Sequence, residues 1–215
     1  MKFFEQLWTH ILDILFPKSH TQLFLESLTA KWLLENIPPP DDNIPPFRAV
    51  LSYRHPVARQ MIWLLKYRGN EIIARTLAEV LFEYILEEIS DNMHFSGTEK
   101  FILVPVPLSK KRLRERGFNQ SELLCRELVN LQPDIFEMRL DILIKNKDTA
   151  SQSKTISKTE RQKNLSGAFF CNENLKDNTI LVIDDVFTTG STFLEIGKTL
   201  KKQNPKEVLF FAVGH

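Results

Sequence analysis

The sequence contains few cysteines, and they form no motif. Cys125 and Cys171 are the two in 215 residues, and no CxxC spacing occurs. A disulfide framework and a cysteine zinc site both need more cysteines at short spacings, so neither is predicted. The scarcity fits a reducing, intracellular compartment.

Long uninterrupted hydrophobic runs are also absent. The N-terminal stretch MKFFEQLWTHILDILFPKSH has apolar residues at helical spacing, but Glu5, His10 and Asp13 interrupt it and Pro17 ends it. A signal peptide needs an uncharged core with a small-residue cleavage site, and a membrane span needs about 20 apolar residues. We therefore expect a packing helix, with docking on a membrane surface as the alternative, in a cytoplasmic protein without a membrane span.

The chain has no large excess of either charge. Its 28 Lys and Arg residues and 27 Asp and Glu residues give a net charge of +1. Affinity for polyanions must then come from local basic clusters rather than from the field of the whole molecule. With 43% hydrophobic residues, the chain can bury a core, either as one domain with an appendage or as two small domains.

Five prolines between residues 38 and 46 mark the clearest break in the sequence. Proline fixes φ and removes a backbone donor, so this stretch is predicted to be a semi-rigid linker. It divides an N-terminal helical segment with its linker, 1–47, from a second domain, 48–215. The second domain opens with two helical patterns, HPVARQMIWLLKYRGN and EIIARTLAEVLFEYILEEI, separated by a stop at Gly69 and Asn70.

Short apolar runs alternate with helical patterns in the rest of the chain. A strand is predicted from Phe101 to Val106, and a helix from Ser121, with a basic loop from Lys110 to Arg116 between them. LDILIKNK, which starts at Leu140, is a further candidate strand. About 20 mostly polar residues follow from Asp148, and a loop of that length is usually functional or mobile.

The C-terminal part adds a β-α-β unit. It consists of NTILVIDD, a helix from Ser191 to about Gln203, and EVLFFAVGH. Continuous apolar strands imply burial on both faces, so the predicted fold class is α/β with a mostly parallel sheet flanked by helices. Ligands of such sheets bind beyond the carboxyl ends of the strands.

One such strand end carries the stretch LVIDDVFTTGST, residues 181 to 192. Asp184 and Asp185 can accept hydrogen bonds from sugar hydroxyls, and the residues from Thr188 to Thr192 lead into a helix N-terminus that favours a phosphate. A ribose 5-phosphate has both needs. The alternatives are a buried strand followed by an N-cap at Thr189 or Ser191, and a metal or phospho-acceptor carboxylate pair.

The same stretch resembles the phosphoribosyl-diphosphate (PRPP) binding signature of type I phosphoribosyltransferases, with every position filled. VPVPLSKKRLRERGFNQSELL, LKYRGN and SKTERQKNLSGAF are similar to the corresponding stretches of the ComF family, whose members are linked to natural competence and DNA uptake. The matches run from about Arg48 to the C-terminus. They imply a type I phosphoribosyltransferase fold for 48–215, with the small helical segment before it.

The resemblance also implies roles for individual residues. Asp184 and Asp185 would be catalytic, orienting the ribose. The 5-phosphate would be held by Thr188, Thr189, Gly190, Ser191 and Thr192. The basic stretch would hold the diphosphate through Arg112, Arg116, Gly117 and Asn119. A mobile loop would contribute Lys154, Arg161 and Asn164. The acceptor would lie at Lys66 and Tyr67. Mg²⁺ would be bound through PRPP, with Asp184 as a candidate protein ligand.

One departure from the family pattern concerns the N-terminus. ComF proteins usually carry a four-cysteine zinc module after a Leu-Phe-Pro, but here His20 stands where the first cysteine would come. No zinc is expected, and His20 is predicted to be a surface histidine. The segment 1–47 would then be a degenerate form of the zinc-module region.

These expectations leave three functions open. The first is a ComF-type phosphoribosyltransferase with an unidentified acceptor, linked to DNA uptake. The second is a noncatalytic competence factor that binds single-stranded DNA or a helicase partner through its basic loops, although those loops contain few aromatic residues for stacking. The third, nucleobase salvage, explains neither LRERGFNQ nor the N-terminal lead-in.

Overall fold

The structure is a computed structural model that describes residues 19–41, 46–92, 100–146 and 166–215. The helices are α1 (His20–Glu26), α2 (Ala30–Asn36), α3 (Pro56–Arg68), α4 (Glu71–Asn92), α5 (Lys110–Arg116), α6 (Gln120–Leu131) and α7 (Ser191–Lys201). The strands are β1 (Phe47–Leu51), β2 (Phe101–Pro105), β3 (Phe136–Met138), β4 (Ile144–Lys145), β5 (Phe169–Phe170), β6 (Thr179–Val186) and β7 (Glu207–Gly214).

Five strands form a parallel sheet in the order β1-β7-β6-β2-β3. Leu103 of β2 pairs with Leu181 of β6, and Ala49 of β1 pairs with Ala212 of β7. The predicted α/β class with a mostly parallel sheet is therefore confirmed. The carboxyl ends of β6 and β2 lie side by side, which brings the loops after them to one edge of the sheet.

The sheet is covered on both faces because the middle parts of its inner strands are continuous apolar runs. Along β6, Leu181 and Ile183 pack into a core with α3, α4 and α6, whereas Ile180 and Val182 pack into a second core with α7. All four side chains are fully buried. This double burial explains why the strand shows no alternation of polar and apolar residues.

The basic stretch after β2 is a helix, α5, and not the loop that the sequence predicts. Ser109 caps its start, because the Ser109 hydroxyl accepts a hydrogen bond from the backbone N–H of Arg112 at 3.3 Å. Gly117 ends the helix in the left-handed conformation with φ of 81°. A charged helix of seven residues has no apolar period from which it could be predicted.

The candidate strand at Leu140 is also corrected. Only Ile144–Lys145 is extended there, and it pairs with Phe169–Phe170 in a separate two-stranded antiparallel sheet. The strand next to β2 at the edge of the main sheet is β3. After β3, the backbone N–H of Arg139 still donates to the carbonyl of Leu103 in β2 at 3.0 Å. The Arg139 guanidinium donates to Asp141 at 2.7 Å and to Glu173 at 2.9 Å.

The two N-terminal helices pack on the same core as the sheet. Leu25, Leu33 and Ile37 are buried there, and α1 and α2 lie against α4. His20 is exposed, as predicted. The predicted division into 1–47 and 48–215 stays a prediction. The first strand, β1, begins at Phe47. The helix predicted near the N-terminus lies outside the described residues.

None of the described helices is both long and apolar enough to cross a bilayer. Cys125 and Cys171 are buried free thiols.

Candidate functional site

The two adjacent carboxyls at the end of β6 are held by two different helices. The hydroxyl of Ser121, in the first turn of α6, donates to Oδ1 of Asp184 at 2.9 Å. Nζ of Lys66, in the last turn of α3, lies 3.0 Å from Oδ2 of Asp185. Each carboxyl therefore has its own partner, which offsets part of their mutual repulsion.

Asp185 is the more deeply buried of the two. Only 2% of the residue is exposed, and its Oδ1 accepts a hydrogen bond from the backbone N–H of Val186 at 2.9 Å. Its Oδ2 receives no hydrogen bond from the described residues, because the close Lys66 ammonium lies outside hydrogen-bond geometry. The interaction with Lys66 is thus an ion pair without a hydrogen bond.

Asp184 accepts two hydrogen bonds on one oxygen. Besides Ser121, the backbone N–H of Asp185 donates to Oδ1 of Asp184 at 2.9 Å. Burial, and then the neighbouring Asp185 carboxylate, raise the pKa of Asp184 to about 8, although both hydrogen bonds act in the opposite direction. The Oδ2 atom of Asp184 takes no hydrogen bond from the part of the chain that the structure describes.

The predicted phosphate loop leads into α7 through a glycine. Gly190 is the N-cap residue, with φ of 66°, and offers no side chain as a cap. The Thr189 hydroxyl accepts a long hydrogen bond from the backbone N–H of Ser191 at 3.5 Å. The hydroxyls of Thr189 and Ser191 lie 2.8 Å apart and hydrogen bond to each other. Thr188 is exposed and Thr192 is half-buried. Backbone N–H groups and hydroxyls therefore converge on the start of an eleven-residue helix, as an anion site requires.

Gly190 lies against an aromatic cluster below the loop. A Cβ atom at this position would come 2.5 Å from Cε2 of Phe47. The Phe47 ring is itself packed by Phe187 and Phe193, with centroids 6.0 and 5.5 Å away. The loop therefore requires glycine both for its left-handed backbone and for the space beside Phe47.

Asn119 is a buried helix cap. Its side-chain oxygen accepts from the backbone N–H of Ser121 at 3.1 Å, and its amide donates to the backbone carbonyl of Val106 at 3.1 Å. Both polar ends of the side chain are thus engaged in fixing α6 to the end of β2. Through this cap, Ser121 is placed beside Asp184. A contact between Asn119 and a diphosphate stays a prediction.

The last turn of α3 also contacts the end of α5 and the stretch that follows it. The Arg116 guanidinium lies 5.2 Å from the centre of the Tyr67 ring and donates to Oε1 of Gln120 at 2.8 Å. A Cβ at Gly69 would come 3.1 Å from the ring of Phe118. LKYRGN, RERGFNQS and the acidic pair therefore meet at one edge of the sheet. Arg112 and Gly117 are exposed nearby on and after α5.

Three predicted residues of the mobile loop lie outside the described residues; they are Lys154, Arg161 and Asn164. The chain after them is attached to α7, because the backbone N–H of Gly167 donates to Oε1 of Glu195 at 2.7 Å.

Two residues near the site were not predicted. Ser121 contacts Asp184, and Trp63 lies one helical turn before Tyr67 with its ring centre 5.4 Å from that of Tyr67. Trp63 could have been found from its i, i+4 spacing to Tyr67. The Ser121 contact depends on tertiary structure and has no signal in the sequence.

Protein side chains alone do not build a metal site here. Among the described residues, no three His, Cys, Asp or Glu side chains are placed to hold a metal ion. One carboxylate oxygen, Oδ2 of Asp184, fits a hard cation whose other ligands come from a bound phosphate compound. The arrangement thus fits Mg²⁺ that is carried by a ligand.

A family model of the phosphoribosyl transferase domain matches residues 115–213. The matched region contains α6, the acidic pair, the phosphate loop and α7. The described sheet has the parallel, helix-flanked architecture that this domain implies.

Three curated relatives extend the similarity. The DNA utilization protein YhgH of Salmonella typhimurium is 30% identical over 168 residues, covering 76% of this chain and 70% of that protein. Competence protein F of Haemophilus influenzae is 32% identical over 151 residues, covering 69% and 63%. Competence protein ComFC of Bacillus subtilis is 37% identical over 138 residues, covering 59% and 52%.

Proposed function

Because this chain belongs to the ComF family of proteins with a type I phosphoribosyltransferase domain, we propose that it binds PRPP with Mg²⁺ and transfers its phosphoribosyl group to an acceptor. The names of the relatives support a role in competence and DNA utilization, which we propose for this chain as well.

The main support for this proposal is the start of α7, which has glycine at its N-cap and follows the acidic pair by one short loop. Backbone N–H groups at a helix N-terminus bind phosphate, and Thr189 and Ser191 add hydroxyl donors there. Asp184 precedes them at the end of the same strand. One strand-loop-helix unit therefore provides for both the 5-phosphate and the ribose hydroxyls of a single ligand.

The proposed reaction is a displacement at the anomeric carbon of PRPP. The bond from C1 to the diphosphate oxygen breaks, the diphosphate leaves with the electron pair, and the acceptor forms the new bond to C1. We expect Asp184 and Asp185 to orient the ribose. Asp184, which has an oxygen open to a ligand, would favour the positive charge that develops on the ring, whereas Asp185 is already paired with Lys66. Remote binding of the 5-phosphate positions the reacting carbon.

The basic residues of α5 are suited to the leaving group. Arg112 and Arg114 are exposed, and Arg116 is held beside Tyr67. Positive charge near a departing diphosphate lowers the barrier to its departure. Mg²⁺ would supply further charge neutralisation of the diphosphate, with Asp184 as the protein residue placed to meet it.

A calorimetric titration with PRPP tests the proposal. We expect Mg²⁺-dependent binding by the unmodified protein and loss of that binding in Asp184→Asn/Asp185→Asn. Asp134→Asn, an exposed residue after α6, is the matched control and should bind normally. Absence of PRPP binding by the unmodified protein would reject the proposed function.

A second candidate function, binding of single-stranded DNA, is favoured by one observation. Along α3, Arg59, Trp63 and Tyr67 recur every four residues on the exposed side, and Arg116 lies over Tyr67. Trp63 and Tyr67 are 49% and 56% exposed. The fold thus places stacking aromatics beside basic residues, which the sequence of the basic loops did not indicate.

Fluorescence anisotropy with a labelled oligothymidine tests this second function. Binding should weaken steeply with salt and should be lost in Trp63→Ala/Tyr67→Ala. The same oligonucleotide in duplex form is the control. Equal binding of both forms, or unchanged binding by the double variant, would argue against stacking on this face. A helicase partner, the other proposal of this class, would be sought by co-purification with the same variant.

A further inference from the structure

Lys66 is the only predicted acceptor residue that reaches the acidic pair in the described structure. It lies in the last turn of α3 with its side chain 21% exposed, and its ammonium lies 3.0 Å from Oδ2 of Asp185. The Asp185 side chain is 3% exposed. An uncompensated charge at such a position is strongly unfavourable, so the cation is a requirement for placing a carboxylate there.

The contacts of Asp185 show how fully it depends on Lys66. Oδ1 is held by the backbone N–H of Val186, but Oδ2 has no hydrogen bond among the described residues. Lys66 therefore occupies the side of the carboxylate on which a sugar hydroxyl or a cation would otherwise lie.

Asp184 has no such cation in contact. Its Oδ1 accepts from a neutral hydroxyl and a backbone N–H, and Oδ2 accepts nothing from the described residues. Asp185 thus has a cation beside it, whereas Asp184 hydrogen bonds only to neutral groups among the described residues. A divalent cation prefers ionised carboxylate oxygens, so on binding it would displace the proton of Asp184 rather than the Lys66 ammonium that is paired with Asp185.

We propose that Lys66 is a positioning residue that acts through Asp185: it takes the place of a divalent cation on this carboxylate and leaves Asp184 as the carboxyl that meets the ligand. In its effect on PRPP, this inference rests on the proposed function. Its consequence for metal binding does not, because the site then acquires a cation together with PRPP and does not collect one beforehand.

Mn²⁺ binding in the absence of PRPP tests the inference directly, with free Mn²⁺ followed by its electron paramagnetic resonance signal. Lys66→Met should bind Mn²⁺ at least about tenfold more tightly than the unmodified protein, a change of about 1.4 kcal/mol. Lys66→Arg should bind Mn²⁺ with the same affinity as the unmodified protein. Lys66→Met/Asp185→Asn should not show the tighter Mn²⁺ binding of Lys66→Met.

The control is Lys31→Met, which removes an exposed lysine paired with Glu35 on α2. Mn²⁺ binding by Lys66→Met that is no tighter than binding by Lys31→Met overturns the inference. If Lys66→Met does not fold, Lys66→Gln replaces it, since glutamine keeps a donor without the charge, and the same gain is expected.

PRPP titrations of the same variants separate this inference from the proposed function. Lys66→Met should lose about tenfold or more in PRPP affinity, and Lys66→Arg should recover most of it. If the unmodified protein binds no PRPP, the proposed function fails and the Mn²⁺ result alone decides the role of Lys66. If PRPP binds equally to Lys66→Met and the unmodified protein, Lys66 has no positioning role.

Discussion

Asp184 and Asp185 show how two like charges can follow one another at the end of a buried strand. The first is turned to a hydroxyl on α6 and the second to an ammonium on α3. Because the two donors come from two different helices, neither carboxyl has to share a partner. Burial raises the pKa of Asp184, whose two hydrogen-bond donors are both neutral.

The raised pKa of Asp184 predicts a dependence of stability on pH. The folded protein keeps a proton that the unfolded chain releases between about pH 4 and about pH 8, so the free energy of unfolding falls as pH rises through that window. Asn cannot ionise, yet it can still accept from Ser121. Asp184→Asn should therefore gain stability over the unmodified protein as pH rises.

Urea unfolding at several pH values from 4 to 8 measures this difference. Asp134→Asn removes an exposed carboxylate, and its free energy of unfolding should change with pH in the same way as that of the unmodified protein. A constant difference between Asp184→Asn and the unmodified protein across the range would show that Asp184 does not carry the shifted proton.

Gly190 and Gly117 allow the space beside a glycine to be separated from its backbone conformation. Both have positive φ, but a Cβ at Gly190 meets Phe47 at 2.5 Å, whereas nothing lies within 4 Å of a Cβ at Gly117. We expect Gly117→Ala to cost about 1 to 2 kcal/mol and Gly190→Ala to cost about 2 to 4 kcal/mol. Chemical denaturation of both variants gives the comparison, and equal costs would mean that Phe47 moves aside freely.

The inner strands and the two long helices, α3 and α4, could be predicted from the sequence because their apolar patterns do not depend on distant parts of the chain. A run such as ILVI is buried whichever neighbours it has, and α3 and α4 each carry an apolar stripe. The helix α5 could not be predicted, since its residues are charged and its limits depend on the Ser109 cap and the left-handed Gly117. The strand β3 has a single buried residue, Phe136, and left no pattern.

The candidate site was predictable only as far as it is continuous in sequence. The strand-loop-helix unit from Leu181 to Thr192 contains both carboxyls and the anion-binding turn. Its partners Ser121 and Lys66 lie far away in sequence, and their contacts follow from the order of strands in the sheet. Lys66 was expected near the acceptor, but its ion pair with Asp185 was not.

The helix α6 depends on one capping residue that also bridges to β2. Replacing an ordinary N-cap costs about 1 kcal/mol, and Asn119→Ala additionally leaves the carbonyl of Val106 without its buried donor. We expect a loss of about 2 to 3 kcal/mol in the free energy of unfolding. Thr29→Ala, the exposed cap of α2, should lose about 1 kcal/mol. Equal losses measured by urea denaturation would mean that the contact with Val106 adds nothing.

The N-terminal helices contribute to the core of the whole molecule. Leu33 of α2 is fully buried, and its neighbour Leu34 is 40% exposed. Leu33→Ala should cost about 2 to 5 kcal/mol, whereas Leu34→Ala should cost about 1 kcal/mol or less. Thermal and urea unfolding should each show a single transition for both variants. A small effect of Leu33→Ala would mean that the segment contributes little to the stability of the sheet.

The position of β1 in the sheet has a consequence for how the chain folds during synthesis. β1 is made early, but its sheet neighbour is β7, the last strand, with Ala49 paired to Ala212. On the ribosome, β1 therefore has no sheet partner until β7 has emerged, and its backbone groups hydrogen bond to water until then. Pairing between such distant segments is slow and leaves apolar edges open to other chains. The proline-rich stretch directly before β1, and the charged Arg48 within β1, are features that discourage premature pairing at that edge.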